Sequence, residues 1–90
     1  MFKTKSLNKA SYISTVTGKT ATLDEDRRGY NNFCFEYDGD TIEASNEYNR
    51  EVSSNGVLMV NMVKYNNYIR HYKAITRQAK KTRDRLRELD

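Results

Sequence analysis

Residues 62–89 read MVKYNNYIRHYKAITRQAKKTRDRLREL, a stretch with no glycine and no proline. After Lys73 it consists mostly of good helix formers, so nothing in it breaks a helix. Tyr65, Tyr68, Tyr72, Ile75, Ala79, Thr82, Leu86 and Leu89 recur at alternating spacings of three and four, a heptad register with a weak middle. Met62 and Ile69 widen the apolar face of the first half only, and Asn61 can cap the start. At ~1.5 Å per residue the stretch makes roughly 42 Å of helix. A compact body of this size has a radius of gyration near ~12 Å. The first half is therefore expected to pack into the core, and the second to protrude or lie on a partner.

The same stretch carries most of the chain's positive charge. Residues 64–90 hold Lys64, Arg70, Lys73, Arg77, Lys80, Lys81, Arg83, Arg85 and Arg87 against Asp84, Glu88 and Asp90. Residues 1–19 hold four lysines and no acid, and residues 20–63 hold nine acids against Arg27, Arg28 and Arg50. The net +4 is thus a basic end beside an acidic middle, an internal electrostatic match or two surfaces for different partners.

Upstream, the signals are shorter. Phe2 to Lys5 reads as an edge strand, and Ser6 as the N-cap of a helix ended by Thr15-Val16-Thr17 and Gly18. Thr20 to Asp24 alternates like a half-buried strand, and Asp24 to Gly29 is a polar turn. Phe33, Phe35 and Tyr37 share one face of a stronger strand. Asp40 with Glu43 has the form of a capping box, followed by Ile42, Ser45, Tyr48 and Val52 at helical spacing. A hairpin from Tyr37 through Thr41 to Ala44 competes with that helix. Val57 to Val60 reads as a short buried strand. The expected fold is α+β: a small antiparallel or mixed sheet, two short helices and one long C-terminal helix. Residues 1–75 would form the compact domain, and 76–90 a basic helical extension continuous with the last helix.

Ninety residues allow one domain, and 31% charge is polar for a folded chain, but ten aromatics argue against disorder. No run approaches the length of a membrane span, and the first residues lack the apolar stretch of a signal peptide, so a cytoplasmic protein is expected. A single cysteine, Cys34, excludes an internal disulfide, and with His71 the only histidine no Cys/His zinc site is possible. His71 lies between Arg70 and Tyr72 with no acid beside it, and Cys34 alternates with phenylalanines like a small buried hydrophobe. The four glycines stand alone, so no phosphate-cradling loop exists. Asp24-Glu25-Asp26 and Asp38-x-Asp40 supply too few oxygens for a divalent cation. No catalytic residue, metal or cofactor is expected, and the chain reads as a non-enzyme.

Two constellations could bind nucleic acid. Arg28 to Phe35 resembles in part the octamer of RNA-recognition motifs, matching at Arg28, Gly29, Tyr30 and Phe35. The expected order strand-helix-strand-strand-helix-strand would suit that fold. However, Asn31 and Asn32 stand where a small residue and a stacking aromatic are needed. The second constellation is the long helix. Arg70, Lys73, Arg77, Lys80 and Arg87 lie near one face with Lys81, Arg83 and Arg85 flanking, a spacing that can track a phosphate backbone. The plainer alternative is a solvated helix of mixed charge, supported by Lys80–Asp84 and similar pairs.

Phe2-Lys-Thr-Lys-Ser-Leu-x-x-Ala-Ser-Tyr-Ile13, then Gly18, Phe33-Cys-Phe-Glu36, Tyr48, Val60 and a final helix from Val63 to Lys73 resemble a small family of uncharacterised domains. Its members occur in Firmicutes and in their phages and mobile elements. The likeness covers residues 2–73, and Asn8 and Ser11 depart from it where bulkier or apolar residues are usual. It implies a phage or mobile-element accessory protein and carries over no activity or functional residue. The basic tail beyond Lys73 is an extension of that core.

Together these readings give a non-enzymatic binding module, its basic C-terminal helix engaging nucleic acid or a nucleoprotein complex, with Arg70, Lys73, Arg77, Lys80, Lys81, Arg83 and Arg87 as contacts. The alternative is a protein-directed inhibitor of a host defence or replication enzyme, similar in kind to an anti-CRISPR. It would use Asp24, Glu25, Asp26, Asp38 and Asp40 against a basic channel. Two leucines in the protruding half are too few for a coiled coil, so a monomer or weak antiparallel dimer is expected.

Overall fold

The central strand of the sheet is the one with the most aromatic character. In a computed structural model that describes residues 1–25 and 30–89, strands β1 (Phe2–Thr4), β2 (Thr22–Glu25) and β3 (Asn31–Phe35) form an antiparallel sheet in the order β1-β3-β2. Phe33 lies opposite Thr4 on one side and Leu23 on the other, and Phe35 lies opposite Phe2. The period of two sends Phe33 and Phe35 together into the core, where both are buried.

Helix α1 (Leu7–Thr17) crosses from β1 to β2. Ser6 caps it by accepting the Lys9 N–H at 3.1 Å, and Gly18 ends it at φ 74°, donating its N–H to the Ser14 carbonyl at 2.9 Å. Helix α2 (Gly39–Ser53) replaces the competing hairpin. Its cap is Asp38, which accepts the Thr41 N–H at 2.9 Å, so the helix begins before the Asp40 expected to cap it. Helix α3 (Met62–Leu89) is capped by Asn61, whose Oδ1 accepts the Lys64 N–H at 3.1 Å. The α+β class is as expected, with the sheet wholly antiparallel.

Helix α1 packs against both α2 and α3, and chemistry differs on its two flanks. Buried Thr41, Ala44 and Ser45 of α2 are small, which lets the helices approach closely. Tyr12 and Tyr48, with ring centres 5.7 Å apart, extend that contact. The side towards α3 is held by Tyr72, fully buried, with its ring 5.0 Å from Phe33 and 5.9 Å from Tyr68. The Tyr72 hydroxyl accepts the Ala21 N–H at 2.9 Å and pairs with Ser14 Oγ at 2.5 Å. One phenol thereby satisfies two buried polar groups and ties α1, the start of β2 and α3 together.

Two expectations are corrected. Val57–Val60 is not a strand: it lies outside the sheet, with Leu58 and Val60 packed against the core and Val57 and Met59 in solvent. Met62 does not widen the core face of α3 but is exposed. The heptad face otherwise behaves as its spacing implies. Tyr65, Tyr68, Ile75 and Ala79 are partly buried around Tyr72, whereas Thr82 is exposed and Leu86 is 59% exposed. Contact with the body nonetheless runs past residue 75, because Arg83 donates to Glu25 Oε1 at 3.0 Å. The far end of α3 projects, and the molecule measures 47 × 26 × 23 Å with a radius of gyration of 14.4 Å.

Candidate nucleic-acid interface

Tyr65, Tyr68, Tyr72 and Ile75 fix the rotation of α3, and that rotation decides where its charges point. At 100° per residue, Arg70, Lys73, Arg77, Lys80 and Lys81 fall within roughly 100° of arc opposite the tyrosines, along ~16 Å of axis. All five are exposed, and none makes an ion pair with a described residue. Cations this close raise the local potential, which favours a polyanion over a single carboxylate.

The remaining expected contacts are placed differently. Arg83 turns to the core side of α3 and is held by Glu25, its side chain only 28% exposed. The side chain of Arg87 lies outside the described residues. Asp84 and Glu88 continue the basic stripe towards the C-terminus with opposite charge, so the interface ends near Lys81. Arg85 is exposed on the other flank.

The acidic middle is partly neutralised. Asp24 accepts from Lys3 Nζ at 3.1 Å, a bond that holds the Lys3 ammonium above its ordinary pKa. Lys19 pairs with Asp38, and Glu25 with Arg83. Asp26 lies outside the described residues. Among the described residues of this middle region, Glu36, Asp40, Glu43 and Glu47 are left in solvent without an ion partner, and the last three form a second stripe along α2. Burial and the Glu47 charge raise the Tyr12 phenol beside it. The i, i+3, i+7 spacing was visible in the sequence, but only a helical reading of 40–47 converts it to one face.

The octamer-like segment does not make a stacking platform. Phe35 is buried against Phe2 (ring centres 6.4 Å apart), and Arg28 and Gly29 lie outside the described residues. Tyr30 is exposed with Lys5 Nζ 4.9 Å from its ring centre, and Asn32 stands where a second stacking ring is required. The element order also departs from that fold, because among the described residues no fourth strand stands between α2 and α3.

An open cleft of about 560 Å³ lies between the end of α1 and α3, lined by Ser14, Thr15, Thr20, Lys64, Tyr68 and His71 among others. It holds no nucleophile–base pair. Ser14 Oγ is engaged by Tyr72, and His71 makes no hydrogen bond or ion pair, only a ring contact with Tyr72. Cys34 is buried. Among the described residues no group of three His, Cys, Asp or Glu could hold a metal ion, and no helix is long and apolar enough to cross a membrane. Comparison with known protein families, characterised proteins and solved structures gives no match to this chain.

Proposed function

We propose that this chain is a non-enzymatic binding module of phage or mobile-element type that engages a nucleic-acid backbone through Arg70, Lys73, Arg77, Lys80 and Lys81. One observation carries the reading: five exposed cations without an ion partner among the described residues share a single face of a helix whose rotation is locked by buried Tyr72 and half-buried Tyr65 and Tyr68. A face set in advance loses little conformational freedom on binding, and phosphates reward its charge without demanding a base sequence. The likeness of residues 2–73 to a phage and mobile-element family supports the same setting, with the host cytoplasm as the place of action.

Fluorescence anisotropy with a short DNA or RNA duplex tests this. Five phosphate contacts give a log–log salt slope near −4.5, so affinity should fall on the order of a few hundred-fold between about 50 and 200 mM salt. Replacing Arg77, Lys80 and Lys81 together by Ala should reduce the slope by about three while leaving the unfolding temperature unchanged. Binding that is insensitive to salt would overturn the reading.

The second reading, an anti-CRISPR-like inhibitor of a host nucleic-acid enzyme, is favoured by the acidic stripe Asp40, Glu43 and Glu47 on α2, which could face a basic channel. Co-purification after nuclease treatment separates the two. A stoichiometric protein retained after nuclease, and lost on Glu43→Lys, supports inhibition.

A further inference from the structure

The cleft between the end of α1 and the first half of α3 is lined by donors that the fold leaves unused. Lys64, Asn67 and His71 follow one another at i, i+3 and i+7. At 100° per residue they share about 60° of arc along ~10 Å of α3. Tyr68 lies beside them, and Thr20 lines the cleft from the loop between α1 and β2. None of these five side chains makes a hydrogen bond or an ion pair with a described residue. The two other hydroxyls of the lining are committed, Ser14 to Tyr72 and Thr15 to the Ser11 carbonyl at 2.7 Å.

We propose that this cleft binds a small phosphomonoester, with Lys64 meeting the phosphate charge and Asn67, His71 and Thr20 donating to its oxygens and hydroxyls. The charge balance sets the sign of the ligand. Lys64 carries a full positive charge, and no Asp or Glu is among the described residues that line the cleft. The C-terminal end of α1 adds a partial negative charge of about half a unit, so an anion still gains. The His71 imidazole keeps an N–H donor in either protonation state.

The donor set favours phosphate over carboxylate. A carboxylate is best met by the planar fork of an arginine, and no arginine is among the described residues of the lining. An ammonium with separate single donors suits a tetrahedral group that has three free oxygens. Size favours more than a bare ion. A cleft of about 560 Å³ lies in the range of sites for small organic ligands, and the Tyr68 and His71 rings offer a surface to the body of the molecule. The α3 donors sit on the half of the helix that buried Tyr72 holds, so little freedom is lost when a ligand engages them. The site uses none of the five cations of the basic stripe, and the two readings stand or fall separately.

Amide NMR spectra of the full chain, titrated at constant ionic strength with adenosine monophosphate and with ribose phosphate, test the proposal. The same titrations are run on the chain in which Arg77, Lys80 and Lys81 are Ala, so that binding on the basic stripe is removed. Both phosphates should shift the Thr20, Lys64, Asn67 and His71 signals saturably, with a Kd of about 1 mM or below in either chain. Adenosine, which lacks the phosphate, and acetate, a carboxylate, should bind at least about tenfold more weakly. Lys64→Met should weaken both phosphates about tenfold or more, and Asn67→Ala about threefold to tenfold. Both side chains are exposed, so circular dichroism should not change. If Lys64→Met folds poorly, Lys64→Gln removes the same charge. An absence of saturable shifts up to about 20 mM phosphate ligand overturns the proposal. So does binding that survives the loss of the Lys64 charge, adenosine or acetate matching the phosphates, or shifts that vanish when the stripe is removed.

Discussion

The two halves of α3 belong to one unbroken helix, yet they are held by different physics. Up to about Thr76 the helix is fixed by tyrosines, with Tyr72 buried and hydrogen-bonded on two sides. Beyond it, the contacts with the body dwindle to a half-buried Ala79 and the Arg83–Glu25 pair. Burial sets the direction and rotation of the first half, and helix continuity transmits both to the second. The charged half therefore points where it does without a core of its own. A charged surface can be aimed by residues it never touches.

The sharpest way to break this division is at Tyr72. Tyr72→Ala removes a buried ring and leaves the Ala21 N–H and Ser14 hydroxyl without their partner, so thermal or urea unfolding should register a loss of about 4 kcal/mol. Tyr72→Phe keeps the ring and should cost about 1–2 kcal/mol, isolating the hydroxyl's share. Next comes Arg83→Ala. Both partners are partly exposed, so the loss of stability should stay below about 1 kcal/mol. Amide exchange across residues 79–86 should nonetheless accelerate while that at Tyr72 does not, because only the second half depends on the pair. Leu86→Ala, in solvent, should change stability by less than about 0.5 kcal/mol and leave the sedimentation coefficient unaltered. A shift in sedimentation there would make the protruding half an association surface and remove the contrast between the halves.

Much of this was legible because local chemistry and tertiary need agreed. Ser6, Gly18 and Asn61 mark helix ends by hydrogen bonds within a few residues, and each does so in the fold. Phe33 and Phe35 are apolar at strand period, and they form the core. The alternation at Val57–Val60 was equally clear but misled, because a strand needs a neighbour and periodicity only says which side chains share a face. The α2 start slipped by two because Asp38 and Asp40 are both able caps, and only the path of the chain out of β3 chooses between them. Arg83 could not be told apart from the other cations. Its partner, Glu25, is 58 residues away, and no spacing rule reaches that far. The basic stripe was therefore visible as a charge pattern, whereas its membership was decided by the rotation that Tyr72 imposes.

The bond between Ser14 and Tyr72 also bears on how the chain is made. Its partners are separated by 58 positions, so at ~5–20 residues per second roughly 3–12 s pass between their syntheses. During that interval α1 has an apolar flank with nothing to cover it, and the Ala21 amide has only water. The N-terminal third is thus made first but completes its packing only once Tyr72 is available. A chain truncated before Tyr72 lacks the residue that closes this core.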